Sequence, residues 1–91
     1  KMNTKSKIEK KLKEYFNVYT LQIIDESHKH ANHKKDTQGG HFKLLIISED
    51  FENVSLIKRH QLIYDALSDM IKIDIHAISI KAKTIKESHS Q

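Results

Sequence analysis

Ile75-His76-Ala77-Ile78-Ser79-Ile80 is a β-branched run that carries one histidine among aliphatic residues. In a strand, side chains of one parity share a face, so His76 is expected to line up with Ile78 and Ile80. An imidazole among core aliphatics costs free energy unless it is hydrogen-bonded or serves at the edge of the sheet. The run also follows a helical stretch that itself follows a strand. It therefore closes a strand–helix–strand crossover, which makes the two strands parallel and the connection right-handed.

Outward from this strand, the preceding helix is capped by Ser55 and carries Leu56, Ile63, Leu67, Met70 and Ile71 as its buried stripe. Before it, His41–Ser48 reads as a strand whose continuous apolar stretch, Leu44–Ile47, marks it as central and covered on at least one face. Glu49–Asn53 turns the chain. Val18–Asp25 is an earlier strand, rich in β-branched and aromatic residues. Between the two, Glu26–Gly40 has no apolar pattern, carries charges and histidines, and ends in Gly39-Gly40; a loop this long in so small a domain points to function. At the start, Ser6-x-x-Glu9 reads as a capping box for a helix with Ile8, Leu12, Tyr15 and Phe16 on one side and Asn17 as its stop. Asp74–Lys83 is the third strand and Thr84–Gln91 a polar tail. The order helix, strand, strand, helix, strand gives a small α+β sandwich: a three-stranded mixed sheet with helices on one face. One domain over residues 1–91 is expected, with an ordered core over residues 6–83.

Composition narrows the function. Among 91 residues there is no cysteine, so the chain can form neither a disulfide nor a thiolate-only zinc or iron–sulfur site. Sixteen basic against twelve acidic residues give a net charge of +4, which accommodates an anionic partner without forming a dense basic stripe. Arg59 is the only arginine, the residue type that bidentate guanine and phosphate recognition favours. The longest apolar run, Leu44–Ile47, is far too short to span a bilayer, so no membrane partner is expected. The two glycines are adjacent and cannot supply a phosphate loop or a dinucleotide fingerprint. No serine sits in a nucleophile-elbow context, and Asp25-Glu26 and Glu49-Asp50 read as polar turns. The chain is not expected to be an enzyme.

The histidines carry most of the remaining signal: His28, His30, His33, His41, His60, His76 and His89, seven in all. His28, His30 and His33 share the long loop and form a set able to hold a borderline metal such as zinc or copper, although their spacing matches no closed zinc motif. The alternative is a solvated loop whose histidines titrate without a partner. His76 is either a ligand or a core histidine satisfied by a carbonyl. His41 opens the second strand beside Gly40, as a support to a site in the loop or as a strand edge. His60 lies on or beside the buried stripe of the second long helix and reads as structural; His89 lies in the tail. Lys58, Arg59, Lys81 and Lys83 are the candidate contacts to nucleic acid, against a reading as ordinary solvated charges.

Six segments in order resemble the BolA family: Asp25-Glu26-Ser27 with a following loop histidine, Gly40-His41-Phe42-Lys43, Ile47-Ser48-x-x-Phe51, Arg59-His60-x-x-Ile63-Tyr64, Ile75-His76-Ala77-Ile78-Ser79-Ile80, and Thr84-Ile85-Lys86-Glu87. The resemblance runs from Ile8 to Glu87 and implies a fold similar to the class II KH domain, without the Gly-x-x-Gly loop. It further implies a heterodimer with a monothiol glutaredoxin in which a [2Fe–2S] cluster is bridged, for cluster trafficking or iron and redox regulation. The glutaredoxin supplies its own thiolate and that of glutathione. The strand histidine of the family matches His76, and its loop ligand is best matched by His30, with His28 and His33 as alternatives. On this reading the chain alone is a monomer and binds no cluster. Some relatives are described as transcription factors, so a KH-like DNA-binding regulator using Lys58, Arg59, Lys81 and Lys83 is the alternative function. A histidine-loop metal buffer acting alone is a third. Family members commonly carry tryptophan where this chain has Ser88, which implies a short C-terminal helix. The expected compartment is the cytoplasm, with the mitochondrial matrix as the alternative.

Overall fold

The run Leu44–Ile47 takes the middle of the sheet, where both strand edges are hydrogen-bonded and Leu44, Ile46 and Ile47 are buried. The computed structural model describes residues 2–30 and 39–90. In chain order they form α1 (Thr4–Tyr15), β1 (Val18–Asp25), β2 (Gly40–Ser48), α2 (Leu56–Ala66), β3 (Ile75–Lys83) and α3 (Ile85–Ser88), with 3-10 turns at Ser27–His30 and Glu49–Phe51. The sheet runs β1-β2-β3, antiparallel between β1 and β2 and parallel between β2 and β3, as a hairpin followed by a helical crossover requires. Ile23, Phe42, Leu44, Ile46 and Ala82 from the strands pack with Ile8 and Leu12 of α1 and Ile63 and Ala66 of α2 in one core.

Several local expectations are corrected. The α1 helix starts two residues before Ser6: Asn3 is its cap, and the Ser6 N–H donates to Asn3 Oδ1 at 2.8 Å. Glu9 does not close a capping box but pairs with Lys13 one turn on, at 2.8 Å. Tyr15 points outward, 63% exposed, because Ile8 and Leu12 already set the buried face and Phe16 turns in against Phe51. On α2, Ser55 caps as expected, but Leu56 is 64% exposed and the buried stripe starts at Arg59, continuing through Ile63, Ala66 and Leu67 at helical spacing.

The segment after β3, a polar tail by its residues, carries the short C-terminal helix that the resemblance implies. Thr84 is buried, and its hydroxyl accepts from the Glu87 N–H at 3.0 Å while the Glu87 carboxylate accepts from the Thr84 N–H at 2.9 Å. This reciprocal pair caps the four-residue α3. Arg59, 4% exposed, explains why so short a helix holds. Its Nε donates to the Val54 carbonyl at 2.8 Å, and Nη1 to the Ala82 carbonyl at 2.9 Å and to Glu87 Oε1 at 2.7 Å; Nη2 reaches Glu87 Oε2 at 3.1 Å. One guanidinium thus ties α2, β3 and α3 together through a forked carboxylate pair.

The Arg59 guanidinium, followed by the Thr84 backbone N–H, lowers the Glu87 carboxyl from 4.5 to about 2. A carboxyl lowered on folding contributes stability that is complete above its unfolded value and is lost as pH falls from there through the folded value. Urea unfolding is therefore expected to show a loss of stability between about pH 5 and about pH 2.5 that is smaller in Glu87→Gln than in the parent chain. Equal pH slopes in the two proteins would contradict this role for Glu87.

Candidate functional site

Where β2 and β3 begin, the pairing gains one residue. Gly40 lies opposite Ile75, but His41 lies opposite Ala77, so His76 is the extra residue of a bulge. A bulge resets the alternation of the strand it interrupts and re-aims a side chain. Ile75 and Ile78 therefore both turn inward, although three apart, and His76 is exposed rather than aligned with the core face. This corrects the core-histidine reading. The His76 ring stands beside that of His41, centroids 4.9 Å apart and planes tilted by 50°.

His41 is held on both sides of its backbone. Its N–H donates to Ser27 Oγ at 3.1 Å and its carbonyl accepts from the Glu26 N–H at 2.7 Å. Ser27 is the hub of this corner: its hydroxyl first, and then its backbone N–H at 2.9 Å, hold the Asp25 carboxyl below the usual carboxylate range. The turn Ser27–His30 is thereby fastened to the first residues of β2. Its His28 is exposed; the side chain of His30 and the whole of His33 lie outside the described residues.

The return of the loop toward β2 depends on its glycines. Gly39 has φ +81°, and a Cβ there would lie 2.8 Å from the His76 nitrogen and 3.0 Å from both the Asp74 carbonyl carbon and the Ile73 oxygen. The Gly40 N–H then donates to the Asp74 carbonyl at 2.9 Å. Backbone packs directly on backbone at the residues that lead into His76. The site that emerges is a pair of imidazoles at one end of the sheet, next to a histidine-bearing turn. Imidazole nitrogens are good ligands for zinc, copper and iron. Among the described residues no three His, Cys, Asp or Glu side chains converge on one metal position.

The remaining candidates lie apart from this end. His60 is half-buried and lines a groove of about 380 Å³ between α2 and β3, together with Leu56, Lys81, Lys83 and Glu87. Lys58 is exposed on α2. Arg59 is removed from the nucleic-acid set, since its guanidinium is buried and bonded to Glu87 and two carbonyls. His89 is exposed after α3. Among the described residues no helix is long and apolar enough to cross a membrane.

A family model described as BolA-like protein matches residues 12–87. The chain belongs to the BolA-like family. It is 41% identical over 87 residues to the SufE-like protein 1, chloroplastic/mitochondrial, of Arabidopsis thaliana, covering 89% of this chain but only 24% of that protein. It is 33% identical to the DNA-binding transcriptional regulator BolA of Escherichia coli, over 94% of this chain and 80% of that one. The solved structure of BolA1 from Arabidopsis thaliana superposes with a TM-score of 0.82 at 33% identity, covering 96% of this chain and 97% of that chain. The chain spans about a quarter of the SufE-like relative and 58% of the chloroplastic BOLA1 protein. The BolA-like assignment agrees with the fold, while the bulge, the hydrogen bonds of Ser27 and the close backbone approach at Gly39 are features that residue reading did not supply.

Gly39→Ala is expected to cost about 1–3 kcal/mol, because alanine resists φ +81° and its methyl strikes the backbone before His76. In a heteronuclear NMR spectrum the largest shifts should fall at Asp74–Ala77. A change confined to the loop would mean that Gly39 does not set the position of His76.

Proposed function

We propose that this BolA-like chain is a non-enzymatic iron–sulfur adaptor that pairs with a monothiol glutaredoxin and co-ligates a bridging [2Fe–2S] cluster through His76 and His30. The observation that carries the reading is the exposed imidazole of His76, turned out of the core by the bulge and seated beside His41 at the end of the sheet. A core histidine would need no such device. A chain without cysteine has no thiolate to give an iron–sulfur centre, so its imidazoles would join one whose thiolates are foreign. Glutaredoxin and its glutathione would supply those thiolates. Such a centre has a higher reduction potential than an all-thiolate one, and its nitrogen ligands compete with protons. Both properties suit transfer or sensing better than storage.

His30 is preferred as the second ligand because it ends the turn that Ser27 fastens to β2. His28 is on the same turn, and His33 remains an alternative in the loop. His41, whose backbone is pinned by Ser27 and Glu26, supports His76 through ring contact. Titrating a [2Fe–2S] monothiol glutaredoxin with this protein should produce a new visible absorption and circular dichroism spectrum that saturates at one to one. His76→Ala should abolish that spectrum while leaving association of the cluster-free proteins largely intact. His30→Ala should weaken it more than His28→Ala or His33→Ala does. An unchanged glutaredoxin spectrum with the parent chain would defeat the adaptor reading.

A second reading, a DNA-binding regulator, draws support from the name borne by the bacterial relative of similar length. Its electrostatic part rests on Lys58, Lys81 and Lys83, since Arg59 is spent inside the fold and Glu87 places a carboxylate in the neighbouring groove. If DNA binds there, the logarithm of affinity should fall steeply with that of salt, and each Lys→Gln change should reduce the slope by about one. Arg59→Gln should instead lower thermal stability, and an unchanged melting temperature with weaker DNA binding would restore Arg59 as a contact.

A further inference from the structure

The register sorts the sheet into two faces. Phe42, Leu44, Ile46, Ile78, Ile80 and Ala82 face the helices and the core. The opposite parity puts Thr20, Gln22 and Ile24 of β1, Lys43, Leu45 and Ile47 of β2, and Ala77, Ser79, Lys81 and Lys83 of β3 on the other side. Gln22, Ile24, Lys43, Ala77, Ser79 and Lys81 are all exposed there, so among the described residues no helix covers the middle of that face. It holds a shallow depression of about 400 Å³, lined by Gln22, Ile24, Lys43, Leu45, Ser79 and Lys81.

Two properties separate this surface from an ordinary solvated face. The first is its apolar content: Ile24 is 51% exposed and Leu45 half-buried beside it, on the two strands that pair antiparallel, where a solvated face alternates to polar residues. The second is its charge. Every Asp, Glu, Lys or Arg that the register places on it is a lysine, and among the described residues Lys43, Lys81 and Lys83 have no carboxylate partner. The apolar strip is flanked by cations that no carboxylate among the described residues pairs.

We infer that this face is a docking surface for an acidic amphipathic helix of a partner protein. A bare sheet face is completed by a layer of helix, as α1 and α2 complete the opposite one. The strip formed by Ile24 and Leu45 would take the apolar side of that helix, and Lys43, Lys81 and Lys83 its carboxylates. An extended peptide would instead seek the free edges of β1 or β3. A single nucleic-acid strand would need aromatic platforms, and from Thr20 to Ile24, His41 to Ile47 and Ala77 to Lys83 this face presents no Phe, Tyr or Trp.

The test is a titration of the isotope-labelled full chain with a synthetic helical peptide bearing leucine on one side and glutamate on the other, against the same peptide with lysine for glutamate. Amide shifts should concentrate at Gln22–Ile24, Lys43–Leu45 and Ser79–Lys81, and the affinity should fall with salt. The double variant Lys43→Glu, Lys81→Glu changes exposed side chains only and should keep the parent's spectral dispersion while binding at least about tenfold more weakly. Equal binding of both peptides, shifts centred elsewhere, or an unaffected double variant would overturn the inference. So would binding of the parent to phosphatidylserine vesicles or to single-stranded DNA with no response to the glutamate peptide, since the surface would then serve an anionic polymer or bilayer.

Discussion

The one-residue excess in the parallel pairing of β2 with β3 is the constraint on which the rest of this structure turns. Without it, strict alternation would place His76 in line with Ile78, Ile80 and Ala82, against the helices, and Ile75 would face outward. With it, Ile75 and the later isoleucines share the core and the imidazole leaves it. The cost of burying a polar ring and the loss of a buried isoleucine are avoided by the same irregularity. Gly39 and Gly40 belong to this arrangement. Gly39 lies against Ile73–His76 at distances that leave no room for a Cβ, and Gly40 bonds to Asp74 while lying as tightly against Ser27 and Phe42, so the start of β2 and the start of β3 are one piece of structure.

A second commitment is made at Arg59. Burying a guanidinium costs several kcal/mol of desolvation, offset only when its donors are met in good geometry. Here they meet two carbonyls and both oxygens of Glu87, and the group lies 5.9 Å over the Phe51 ring. A leucine at this position would bury more cheaply, but it would not reach α3. The arrangement exchanges hydrophobic stability for the attachment of α3, and it removes the single arginine from service on the surface. That weakens any reading in which the chain grips phosphates bidentately and leaves recognition of anions to point charges on lysines.

Much of this was legible in the residues. The crossover, the central position of Leu44–Ile47 and the Ser55 cap follow from period and composition, because those signals are local and strong. What residue reading missed depends on contacts distant in sequence. Arg59 looks like a surface cation until Glu87, twenty-eight residues away, supplies its partner. Thr84-Ile85-Lys86-Glu87 looks like a tail for the same reason, although its capping spacing was visible. Leu56 satisfies the helical stripe yet faces out, since period alone does not say where the sheet ends beneath a helix. The turn of His76 out of the core could not be seen at all. Nothing in Ile75-His76-Ala77 marks a bulge; the register of β2 imposes it.

The two surfaces read here are neighbours, and that bears on how a partner would use them. His41 heads the same column of β2 that continues through Lys43, Leu45 and Ile47, and Ala77 lies across from it beside His76. Two residues along a strand span roughly 7 Å, so the histidine end and the lysine-flanked strip lie within reach of a single partner. A partner seated on the strip would present whatever lies at its end to the imidazoles at high effective concentration, without any new contact at the metal position. Ligation and docking would then be linked, each strengthening the other by the same factor. The sign of that link depends on what the partner brings to the histidine end. Under the proposed cluster-binding reading, a thiolate there would add to the same centre as the imidazoles, whereas a carboxylate, a harder ligand, would pair with the imidazoles in their protonated form and oppose ligation. On that reading the favoured partner is one whose acidic groups stop short of His41, over Lys43 and Lys81, and whose sulfur lies beyond them.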